Sequence, residues 1–256
     1  MALMRVLIAL LFIFSSVAYS SAQWPLPDHV RPVAPAQTWT NNNPKVDFSG
    51  KGRIRGAIDG IYIGYGPRTL DGNHGSSCDA GRCDSDTSLR LSVEPDFSTP
   101  SGATSIKLKD QGGTLSGGIY KADGEVLLKS GNTLKVDAPS TLYAEKFTID
   151  GGRINVVSGN PDDLVIVTTD DSEITDAGTI NAHFVSEEYL MIKGTTVNGT
   201  VTTNELKIDE GGLLNGQPPE PPTPPEPPQL PEVCEVFKGP ANVGLVTSMK
   251  KILNFT

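Results

Sequence analysis

Apolar and polar positions alternate in short bursts along this chain, and the bursts recur at nearly constant spacing. Leu206-Lys-Ile208-Asp-Glu-Gly-Gly-Leu-Leu214-Asn215 is echoed by Leu190-Met-Ile192-Lys-Gly-Thr-Thr-Val197-Asn198 and by Phe147-Thr-Ile149-Asp-Gly-Gly-Arg-Ile154-Asn155. Ile174-Thr-Asp-Ala-Gly-Thr-Ile180-Asn181 repeats the second half of the unit. Looser copies run from Ile106 to Leu115 and from Leu134 to Leu142. In each unit a Leu-x-Ile pair puts two side chains on one face of a strand. A Gly-containing step then supplies a turn, and one more apolar residue begins another face.

The spacing carries more weight than the likeness of the words. Leu190 to Leu206, Ile192 to Ile208 and Val185 to Val201 are each 16 residues apart, while Asn181, Asn198 and Asn215 are 17 apart. Rungs of this length are what short solenoid coils require, because strands pointing apolar residues inward alternate with tight turns. The pattern therefore predicts an all-β protein, a short parallel β-solenoid (β-helix) over residues 104–216. An antiparallel sandwich with recurrent Gly turns is the competing fold.

Stacked coils bring like residues above one another. The predicted core comprises Phe147, Ile149, Ile154, Ile174, Ile180, Leu190, Ile192, Val197, Leu206, Ile208 and Leu214. Asn181, Asn198 and Asn215 are expected to form a corner column sharing amide hydrogen bonds, with "SGNPDDLVIVTTDDSE" carrying an insertion before it. One coil cannot bury its own apolar face, so several must stack and the ends must be covered. Residues 23–103, β-rich around "VDFSGKGRIRGAIDGIYIGYG", are expected to form an N-terminal cap region. No corresponding cap is visible before the prolines, which predicts an open end able to self-associate.

The flanks add location. Arg5 precedes nine apolar residues, Val6–Phe14, and Ser20-Ser21-Ala22 fits a cleavage site, so residues 1–22 are predicted to be a signal peptide. A spanning helix needs about 20 apolar residues, and no transmembrane segment is expected. Residues 217–231 hold nine prolines in fifteen positions, an extended spacer with a reach of roughly 45 Å. Residues 232–256 look like the start of a further module, broken off.

Charge and chemistry change the picture little. Net charge is −9, and −10 once Arg5 leaves with the signal peptide, which argues against nucleic acid as partner. Cys78 and Cys83 sit in "SSCDAGRCDSD", where an exported chain is expected to form a small disulfide loop, leaving Cys234 over. His29, His74 and His183 show no ligand spacing, and no metal or cofactor is expected. Asp71, Asp79, Asp84 and Asp86 could offer oxygens to calcium but do not follow an EF-hand pattern. Asp162-Asp163 and Asp170-Asp171 flank "LVIVTT" and read as solvated turns; on one concave face with a nearby base they would instead suggest an enzyme.

"CEVFKGPAN" after the spacer, with "VRPVAPAQTW" and "SSCDAGRCDSD" earlier, resembles the exported MshQ-type proteins of the MSHA pilus locus. "GTVTTNELKIDEGGLLNG" resembles a coil of the bactofilins, polymer-forming cytoskeletal β-helices of the cytosol. The first resemblance implies an exported structural or adhesive surface protein of a Gram-negative-type bacterium, with pilus or envelope components or surface glycans as partners. The second implies the coil geometry and a polymer-forming scaffold. A β-helix enzyme or binding module acting on acidic polysaccharide is the remaining alternative; no catalytic residue is named.

Overall fold

The structure is a computed structural model describing residues 35–37, 45–55, 63–64, 68–70, 77–78 and 95–216, with side chains described in 35–37, 45–55 and 95–216. The signal peptide, Cys83, the Cys78 side chain and with them the expected disulfide, the acidic loop, His29, His74, the proline spacer and residues 232–256 with Cys234 lie outside the described residues.

Strands β1 (Ala36–Gln37), β2 (Lys45–Phe48), β3 (Arg53–Arg55), β4 (Ile63–Gly64), β5 (Arg68–Leu70) and β6 (Ser77–Cys78) come first. After a break follow β7 (Thr104–Ile106), β8 (Gly113–Ala122), β9 (Val126–Lys129), β10 (Thr133–Ala144), β11 (Phe147–Asp150) and β12 (Arg153–Val156). Beyond the insertion lie β13 (Leu164–Thr168), β14 (Ser172–Thr175), β15 (Thr179–Asn181), β16 (His183–Ser186) and β17 (Tyr189–Lys193). The series ends with β18 (Thr196–Asn198), β19 (Val201–Thr202), β20 (Glu205–Asp209) and β21 (Leu213–Asn215).

These strands form a parallel β-solenoid with three sheets. The first sheet runs β4-β1-β19-β16-β13-β10-β8-β7, with β12 also on β10; the second runs β5-β2-β20-β17-β14-β11-β9; the third runs β15-β18-β21-β3-β6. Seven strands of the second sheet at about 4.8 Å each give a stack roughly 29 Å between its outer strands. The only helical element among the described residues is one 3-10 turn at Pro161–Asp163.

Inside, like residues stack on like. Leu190 stands beside Leu206 and Ile192 beside Ile208, while Ile180, Val197 and Leu214 align on the third sheet. Phe147, Ile149, Ile154, Ile174 and the residues just named all lie in one continuous buried cluster. Each such side chain contributes about 1.5–3 kcal/mol by leaving water, and parallel pairing satisfies the backbone between coils.

One rung in the sequence pattern is misaligned. Val185 pairs with Thr202, and Phe184, not Val185, stands beside Val201. Between these two coils the spacing is 17 on the first and third sheets and 16 on the second, because the turn after Ser186 has one residue more than the turn after Thr203, and the Glu210–Gly212 turn restores it. Val185 consequently points outward while Phe184 and Val201 face the core.

The larger correction concerns the ends. The region expected to cap the front of the solenoid continues the stack at its far end instead: β1 pairs with β19, β2 with β20 and β3 with β21. The coil expected to be left open is therefore covered by the chain's own early strands, with Val46 beside Leu206 and Ile54 beside Leu214. Self-association through that coil has no free edge to use. At the front, Leu108 is buried and residues 108–110 hydrogen-bond to Leu127 of β9, capping that strand's edge.

Candidate functional site

The three sheets present three different outer surfaces. In the middle of the first sheet the outward residues are themselves buried: Tyr143, Val165, Val167 and Val185 form a second apolar cluster, against which Phe97 and Ile119 pack. All five residues of β13 are buried, so the sheet is covered on both faces at that strand. The unbroken run Leu164–Val167 carries that signal in the sequence, since strands buried on both sides lose their alternation. Burial pushes the Tyr143 phenol up to about 12, helped by the charge of Asp96.

The second sheet is charged. Its outward column reads Leu127, Thr148, Glu173, Met191, Lys207 and Asp47. Lys45 lies 2.6 Å from Glu205 and 3.4 Å from Asp47, and Lys193 lies 2.9 Å from Glu210. The hydrogen bond to Glu205 raises the Lys45 pKa against the opposing effect of burial. Exposed pairs of this kind contribute only about 0–1 kcal/mol each. Beside them Asp47, Asp171, Glu188 and Glu205 surround Tyr189 in an open groove. Burial, followed by the neighbouring carboxylates, lifts that phenol to about 12. Among the described residues no group of three acids, histidines or cysteines has metal-binding geometry.

The third sheet carries the asparagines. Asn181, Asn198 and Asn215 end three successive strands in register. Asn198 Nδ2 donates to Asn181 Oδ1 at 2.7 Å, and Asn215 Nδ2 donates to Asn198 Oδ1 at 3.0 Å. The three amides thus run in one direction along the stack, one strand spacing apart. Thr179, Thr196, Leu213 and Arg53 form the neighbouring column, and Arg55 follows Asn215. Gly159 and Pro161 of the insertion overhang the ladder and, with Gly199, complete a groove of about 240 Å³.

A fourth arrangement was not legible in the sequence. His183 is fully buried, with Nε2 at 2.8 Å from Asp162 Oδ1 and Nδ1 at 2.9 Å from Thr200 Oγ1. The components are those of an acid–base–nucleophile relay, but the wiring is structural. Thr200 N–H donates to Nδ1 at 3.0 Å, so that nitrogen is occupied and Nε2 carries the proton toward Asp162. Thr200 is fully buried and meets no solvent. The cluster fastens the insertion to the solenoid wall.

Asp163 and Asp170 serve turns. Asp163 accepts from Ser158 Oγ at 2.5 Å, and Asp170 Oδ1 accepts from the Asp171 amide at 2.7 Å. The two acidic pairs sit at opposite ends of β13, about 16 Å of strand apart. They share no site.

Fold and faces together define a parallel β-solenoid bearing an asparagine ladder, with no helix among the described residues long and apolar enough to cross a membrane. No family profile matches the chain, and no curated protein does. Among solved structures it is similar to an ice-binding protein domain of Shewanella frigidimarina, at 15% identity over 78% of this chain and 100% of that one, TM-score 0.49. A glycosylated ice-binding protein from an Arctic yeast gives 15% identity, 77% and 98% coverage and TM-score 0.47. An ice-binding protein of the Antarctic ascomycete Antarctomyces psychrotrophicus gives 14%, 75%, 98% and 0.49.

Proposed function

We propose that this chain is an exported, non-catalytic surface protein whose solenoid is a stiff element presenting adhesive faces, associated with pili or the outer envelope. The observation that supports it most is the stack itself. Coils are continued by β1–β3 and closed at the front by residues 108–110. Such a body holds exposed ladders at fixed spacing and moves little. Fractionation of producing cells tests the reading. The mature protein is expected in the periplasm, at the outer surface or in the medium, and a purely cytosolic pool would overturn it.

Ice binding is the second reading, favoured by one feature of this chain. Thr179 and Thr196 stand in register beside the asparagine ladder on an open face, giving hydroxyls and amides a strand spacing apart. Arg53 and Leu213 interrupt the threonine column, and ion pairs cover the second sheet, so adhesion is placed first. Inhibition of ice recrystallisation by the purified chain, abolished by Thr196→Lys, would reverse that order.

A further inference from the structure

We propose that the groove along the asparagine ladder binds a neutral glycan chain, an inference that rests on the adhesive reading and names its ligand. The groove is lined by Gly159, Pro161, Asn181, Asn198, Gly199 and Asn215. None is ionisable, in a chain with 51 charged residues (21 basic and 30 acidic). The ion-paired second sheet and the acidic groove around Tyr189 are the places for charged partners. An uncharged, amide-lined trough suits an uncharged ligand rich in hydroxyl groups.

Hydrogen-bonding capacity points the same way. A primary amide offers two N–H donors and a carbonyl oxygen with two lone pairs. In the ladder Asn198 spends one N–H on Asn181 and one lone pair on Asn215. On Asn198 one donor and one acceptor remain for the groove, while within the ladder Asn181 spends only an acceptor and Asn215 only a donor; a donor beside an acceptor is the pairing that a sugar hydroxyl or a vicinal diol satisfies. The ladder fixes every amide before binding, so little side-chain entropy is lost on contact. Amides repeat at about 4.8 Å along the stack, a rise close to that of one residue in an extended β-linked glycan. The overhang of Gly159 and Pro161 confines the chain to the axis of the solenoid. At about 240 Å³ the groove is smaller than the roughly 300–1,000 Å³ of closed ligand clefts, suited to one short stretch of a longer polymer.

Arg55 continues the column beyond Asn215, which makes an acidic polysaccharide the competing occupant that the experiment must distinguish.

Calorimetric titration of the exported full-length chain with cellohexaose, chitohexaose and polygalacturonate tests the inference. Asn181→Asp keeps the oxygen that accepts from Asn198 but removes the donor and adds charge, so the ladder and the fold survive. Saturable heat is expected with a neutral hexasaccharide, weakened at least tenfold in Asn181→Asp and Asn198→Ala and unchanged in Thr148→Ala on the second sheet. Circular dichroism melts confirm that each variant is folded. Neutral sugars giving no heat, or binding Asn181→Asp as well as the parent chain, would overturn the site. So would salt-sensitive binding of polygalacturonate alone. Each of these results leaves the surface location standing, which only fractionation can remove.

Discussion

Val46 lies in register beside Leu206, so a strand from the start of the chain seals the coil that ends the repeat. Both side chains are fully buried. The solenoid is thus closed by its own N-terminal region, and its cooperativity depends on contacts between the two ends of the described chain.

Val46→Asp places a carboxylate in that seam without a partner. Burying an unpaired charge costs several kcal/mol, so the seam is expected to open and release the edges of β20 and β21. Size-exclusion chromatography with light scattering should show higher oligomers for the variant, along with a lower melting temperature. A monomer of unchanged stability would contradict the seam.

Gly199 tests the turn below the ladder. Its φ is +143°, and a Cβ there would stand 1.9 Å from the Ala182 carbonyl oxygen. Gly199→Ala combines a conformation that L residues avoid with a backbone clash, and destabilisation of about 3 kcal/mol or more is expected in denaturant unfolding.

The ladder itself is predicted to be graded. Asn198→Ala deletes two amide hydrogen bonds and Asn215→Ala one. At about 0.5–1.5 kcal/mol per bond, chemical denaturation should show the central substitution costing about twice the terminal one.

High pH offers a fourth measurement. Folding raises the phenols of Tyr143 and Tyr189 from 10 to about 12. Below pH 10 both states are protonated and the shifts contribute nothing against folding. Between pH 10 and 12 the unfolded chain loses these protons first, binds fewer than the native state, and stability falls as pH rises. Melting temperatures across that window should decline, with a shallower slope in Tyr143→Phe.

Much of the architecture is legible along the chain. The Leu-x-Ile pairs of β17 and β20, the glycine steps after them and the 17-residue asparagine period all follow from local rules of alternation and turn chemistry. The Val185–Val201 spacing shows where such rules stop. A single extra turn residue moves the register by one, and a shift of one residue sends a side chain to the opposite face. The His183–Asp162–Thr200 cluster left no pattern in the sequence, since its members meet only when the insertion folds back across the wall.

What the residue order determined was the coil: its length, its apolar inward positions and the asparagines that recur with it. These depend on neighbours a few residues apart, where backbone sterics and side-chain alternation are decisive. Tertiary structure alone decided how the stack ends. Whether residues 45–55 cover the front of the solenoid or its last coil is a choice between two similar strand edges. It is made by the fit of Val46, Phe48 and Ile54 against Leu206, Ile208 and Leu214, a contact between segments that no local periodicity records.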